Sequence, residues 1–166
     1  RTLVHVVKYA DARVCDGSAV ISKLVSLARE YHALGVDHAM KHEVLKTLSA
    51  CISMREETAM AQLRDIVSVL KLCWPTCVAA ALSVVESFSI GDFPEALFET
   101  TWPWLFPKFI DLLYDKGPAA MTVIDIVSRC HSMPTAAVNL VVPALIVCME
   151  VDDAALRCAA LKAAVD

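Results

Sequence analysis

Pro107 and Pro143 stand 36 residues apart, each inside an apolar run that otherwise has helical spacing, and this repetition constrains the chain more than any other feature. Setting LFPKFIDLLYDKGPAAMTVIDIVSRC against the closing stretch VVPALIVCMEVDDAALRCAALKAAVD matches the two prolines and brings the turn DKG onto VDD. Each segment then reads as a helix with an early proline, a tight turn and a second helix. A proline inside a helix removes one hydrogen bond and crowds the carbonyl four residues back, so Pro143 is expected to bend its helix. Asp152 or Asp153 is expected to accept hydrogen bonds from the free N–H groups that open the second helix. Arg157, one turn further in, is expected to meet an aspartate of its own or a neighbouring turn.

The same reading extends toward the start of the chain. PTCVAAALSVVESF lies against PAAMTVIDIVSRC with Pro75 on Pro118, 43 residues on. Apolar positions Val20, Ile21, Leu24, Leu27, Ala28, Tyr31 and Leu34 recur at the three-and-four spacing of one helical stripe, with Lys23, Ser26, Arg29 and Glu30 opposite. Gly35 is the expected stop and Asp37 the expected cap of a second helix, whose inner face carries Met40, Val44, Leu48, Cys51 and Ile52. A third helix is expected over Leu63, Ile66, Val67 and Leu70. A fourth runs through Val78, Leu82, Val85 and Phe88, with Pro75 in its first turn. No stretch alternates as a strand does. The fold class expected is all-α, and a period of about 35 to 45 residues built from helix pairs is the pattern of an α-solenoid.

The segment VVPALIVCMEVDDAALRCAALKAAV resembles a HEAT repeat, with its proline in the first helix, Asp153 at the turn, Arg157 early in the second helix and small apolar residues after it. The armadillo repeat is similar. The resemblance covers residues 137–166 best and residues 105–130 fairly, and reduces to periodicity before Leu70. It implies a right-handed α-solenoid of about four helix pairs, at 18–53, 58–90, 102–132 and 135–166, forming one domain over residues 1–166 within a longer array. The function it implies is a protein–protein interaction scaffold or adaptor, binding a partner protein through its concave face of second helices or its inter-repeat turns. The fold serves many tasks, so the resemblance names no pathway.

Composition sharpens this. Hydrophobic residues make up 57% of the chain and mean hydropathy is +0.56, so a large share of each helix must be covered. Net charge is −4, and the fifteen Lys and Arg are scattered, which weighs against nucleic acid as a partner. Some HEAT-like proteins are DNA glycosylases with a cationic groove. That alternative requires basic second helices, whereas 119–131 offers Arg129 and the last helix Arg157 and Lys162. Residues 132–149 carry no charge and touch the lower length of a membrane span, but Pro134, Asn139 and Pro143 interrupt them, so a helical membrane protein is the weaker alternative. The final helix offers Leu156, Cys158, Ala159, Leu161 and Val165 around most of its circumference, and a further repeat is expected after Asp166.

Candidate chemistry is sparse. Cys15, Cys51, Cys73, Cys77, Cys130, Cys148 and Cys158 are an odd number on mostly apolar helical faces, which suits free buried thiols in a cytoplasmic or nuclear protein. Cys73 and Cys77 are four apart with no matching second pair, so no metal is expected there. His38 and His42 have a zinc-compatible spacing, but Lys41 and Lys46 make that face a solvated basic one. With four glycines, the chain holds no phosphate-cradling loop or nucleophile elbow. Neither cofactor nor enzyme activity is expected. Eight of the eleven aromatics fall between Phe88 and Tyr114, where about seven residues are inserted relative to the 36-residue unit. Pro94, Pro103 and Pro107 argue against a single straight helix there. Trp102, Trp104 and Phe106 are the candidate partner-binding residues, weighed against aromatics that fill a register shift.

Overall fold

A computed structural model describes residues 17–54, 56–88, 95–130, 133 and 135–165. Among them the chain is helical, with no strand. The elements are α1 (Gly17–Ala33), α2 (His38–Met54), α3 (Glu56–Ala61), α4 (Leu63–Cys73), α5 (Val78–Ser87), α6 (Glu95–Asp115), α7 (Pro118–Ser128), α8 (Thr135–Met149) and α9 (Ala154–Val165). They fall into two compact units, residues 1–88 and 89–166.

In the first unit α1 packs on α2, α4 meets α5, α1 lies on α4 and α2 on α5. The core follows from helical spacing: Ile21, Leu24, Val25 and Ala28 of α1 are buried, as are Leu63, Ile66, Val67 and Leu70 of α4. α1 stops where expected. Gly35 has φ +62, its N–H reaches the His32 carbonyl at 3.2 Å, and the Val36 N–H reaches the Tyr31 carbonyl at 3.0 Å. That paired closure requires a left-handed residue, which glycine adopts without strain. Leu34, placed on the inner stripe by sequence, is instead exposed because it lies past the end of the helix. Met40 is likewise exposed, and Lys41, read as part of a solvated face, is buried. The other expected positions, Val44, Leu48, Cys51 and Ile52, are buried as read, and Lys41, Leu45 and Thr47 join them on the inner face of α2. Pro75 sits in the turn before α5, which begins at Val78 with Cys77 as N-cap.

The second unit has the same plan. α6 pairs with α7 and α8 with α9, while α6 lies on α8 and α7 on α9. α6 continues over 21 residues through Pro103 and Pro107, so the two prolines do not end it. The two prolines are four apart, so they share a face, and both are exposed. A missing donor costs least on the solvent side of a helix, where water can reach the unpaired carbonyl. Pro143 is also internal to α8 and exposed. Asp153 is the residue that caps α9: its Oδ1 accepts from the N–H groups of Ala155 at 2.8 Å and Leu156 at 3.1 Å.

Candidate interaction surface

The three aromatic candidates are separated by the tertiary structure. Phe106 is 5% exposed and belongs to the core with Leu105, Phe109 and Leu113. Trp104 is half-buried on α6, and the side chain of Trp102 lies outside the described part, as do Phe93 and the side chain of Phe98. Tyr114 is half-exposed near the end of the helix. The aromatic density of this segment therefore has two uses: Phe106 and Phe109 fill the unit, and Trp104 remains partly accessible.

Exposed apolar surface concentrates instead on α8 and α9. Val138, Val142 and Ile146 recur every fourth residue along one edge of α8, and Leu140 is exposed on the other edge. The helix carries no charge. Beneath that edge an open cavity of about 300 Å³ is lined by Val127, Cys130, Val141, Leu145 and Ala163, among others. Val142 stands 36 residues after Phe106, yet Phe106 is covered and Val142 is exposed. This accessible edge was legible in the sequence only as a long uncharged run, which does not distinguish a covered helix from an open one.

α9 turns Leu156 and Ala160 inward, so Leu156 is removed from the outward set. Cys158, Leu161 and Val165 do face solvent. Arg157 is exposed and its guanidinium forms no ion pair with an aspartate among the described residues, unlike Arg29, which reaches Asp65 at 2.6 Å, and Arg129, which pairs with Asp125. Among the described residues no ion pair joins Arg157 to a turn aspartate, while Asp153 Oδ1 serves the cap.

The thiols are placed for packing. Cys51, Cys73, Cys77, Cys130 and Cys148 are buried and Cys158 is exposed, none of them in a disulfide; Cys15 lies outside the described residues. Burial pushes the Cys130 thiol up to about 12 against the lowering field of Arg129. The Cys73 thiol is raised by burial and by Cys77, with Lys41 opposing. Burial also raises Cys148, whose thiol donates to the Leu113 carbonyl at 3.2 Å. Such thiols are protonated and weakly nucleophilic at neutral pH. His42 Nδ1 lies 4.0 Å from Glu43 Oε1, and among the described residues no group of three His, Cys, Asp or Glu is arranged to hold a metal. No described helix is long and apolar enough to cross a membrane. Comparison with protein families, with curated proteins and with solved structures finds no match to this chain.

Proposed function

We propose that the chain is a protein-interaction scaffold, a right-handed α-solenoid of HEAT-like or armadillo-like helix pairs that binds a partner protein through its second helices or inter-repeat turns. The observation that supports this reading is the ladder within each unit. First helix lies on first helix and second on second, α1 on α4 with α2 on α5, and α6 on α8 with α7 on α9. Bonds across the ladder join residues about one repeat apart. The Ser49 hydroxyl donates to the Ser83 carbonyl over 34 residues, and the Cys148 thiol to the Leu113 carbonyl over 35. A stack of this kind buries each pair only against its neighbours and presents an extended surface.

The test is capture of a partner by the tagged 166-residue chain, identification of that partner, and reconstitution from purified components. Crosslinks from the partner are expected on α7, α9 or the turns before them. Trp104→Ala is expected to weaken the complex about tenfold if the partner also reaches α6, the scale of a binding hot spot. A chain that reconstitutes a complex with no protein sinks the reading, and so does a right-handed stack not found in an experimental structure.

A further inference from the structure

The outward side of α9 carries Ala154, Cys158, Leu161 and Val165, all exposed, at spacings of four, three and four. That is the spacing of a heptad seam, the pattern by which one helix receives the knobs of another. Leu161 and Val165 are 57% and 78% exposed, the latter the most open of the large apolar side chains among the described residues. The seam lies across the helix from Leu156 and Ala160, so it is available while α9 stays packed on α7 and α8.

Its flanks are cationic. With Cys158 and Val165 at the first position of the heptad and Leu161 at the fourth, Arg157 and Lys162 occupy the two positions that face the flanks of a docked helix. Both are exposed, and neither pairs with an acid among the described residues. A second copy of this chain does not satisfy them. A parallel copy sets Arg157 against Lys162, and an antiparallel copy sets them beside Ala164 and Ala155. A membrane surface fits less well, because the seam is two residues per heptad wide, holds no aromatic and has two flanking cations rather than a basic polar face. We propose that α9 docks an amphipathic helix of a partner protein, with an apolar seam and Glu or Asp on its flanks. The acidic residues Glu150 and Asp152 before α9 further require the partner helix to be neutral or basic where it passes that turn. This rests on the scaffold reading and names its partner class.

The probes are two labelled synthetic helices of about three heptads with Leu and Val at the seam, one with Glu on its flanks and one with Lys. They are titrated by fluorescence anisotropy into the full 166-residue chain. The Glu helix is expected to bind saturably, at least tenfold tighter than the Lys helix, and to weaken as salt rises. Arg157→Glu with Lys162→Glu is expected to reverse the preference, and Leu161→Asp to abolish binding of both, with circular dichroism unchanged since these side chains are exposed. Equal binding of the two probes, or binding that survives Leu161→Asp, overturns the proposal. So does a wild-type chain that sediments as a dimer dissolved by Leu161→Asp, or one that ignores the Glu helix and binds vesicles of phosphatidylserine and phosphatidylcholine. If a captured partner is retained by both variants, the scaffold reading stands and this inference alone fails. If no partner is captured at all, the scaffold reading fails first.

Discussion

The two units share a packing plan and differ in what holds their helices and what they leave in water. In residues 17–88, polar side chains tie helix to helix. Arg29 reaches Asp65 at 2.6 Å, Gln62 Nε2 donates to the Ser18 carbonyl and hydroxyl at 2.9 Å, and the Ser22 hydroxyl donates to Gln62 Oε1. In residues 95–165 the weak thiol donor of Cys148 bridges α8 to α6, and the core rests on Leu105, Phe109, Val123, Ile124 and Leu145. Among the described residues the second unit also exposes more large apolar groups: Tyr114, Met121, Val138, Leu140, Val142, Ile146, Leu161 and Val165, against Leu34, Met40, Met54 and Leu72 in the first. Polar bonds between helices are directional and fix register, whereas apolar contact is not. One plan therefore yields a unit pinned by its surface bonds and a unit whose surface is suited to a further contact.

The largest effect expected is from Phe109→Ala. The ring is fully buried in α6, and its loss should cost about 3 to 5 kcal/mol in urea denaturation. Hydrogen exchange then sharpens the comparison: protection should fall across 95–165 and persist across 17–87. Equal loss in both would mean that the two units do not differ in the way drawn above.

Removing the α9 cap by Asp153→Ala should cost about 1 kcal/mol, because two N–H groups lose their acceptor. In the first unit, Gln62→Ala breaks three bonds at an exposed site, and a loss of about 1 kcal/mol or less is expected. Arg29→Ala should cost less than about 1 kcal/mol, since both partners are roughly half-exposed and the pair is screened. If Arg29→Ala equals or exceeds Asp153→Ala, the surface bonds of the first unit carry more than their exposure allows.

The last effect concerns alkaline pH. The Cys130 thiol is raised in the folded chain from 9.0 to about 12, so the folded state holds this proton more tightly than the unfolded one. Its contribution is complete below pH 9 and is lost as pH rises from there toward 12. Denaturation midpoints of the wild type should fall more steeply between pH 9 and 11 than those of Cys130→Ala. In the same range a thiol reagent should modify Cys158 in the native chain well before the five buried cysteines.

Much of the local structure was legible before any coordinates. Gly35 ends α1 because a left-handed residue is needed there, and Asp153 caps α9 because its side chain can reach the first free N–H groups. The stripe Leu63, Ile66, Val67, Leu70 is the buried face of α4 because helical spacing puts those positions on one side. These are one-dimensional facts, set by backbone geometry within a few residues. The candidate surface was partly legible too, since the shortage of charge around α9 pointed to apolar residues on its open side, although it did not separate the buried Leu156 from the exposed Leu161 and Val165.

Other features were decided only in three dimensions. Pro103 and Pro107 are helix breakers in isolation, yet α6 runs through both because their missing donors fall on an exposed face and the opposite face is held by Leu105 and Phe109. Phe106 and Trp104 are indistinguishable as neighbours in an aromatic run, but helical rotation sends one into the core and leaves the other half in solvent. Lys41 is charged and still buried, because it shares one side of α2 with Val44, Leu45 and Leu48, and that side meets the neighbouring helices. The sequence by itself determined where helices start, stop and turn an apolar side, since those depend on neighbours three and four residues away. Which apolar side is covered and which stays open depends on residues some 36 positions distant, and only the packing of helix on helix could decide that.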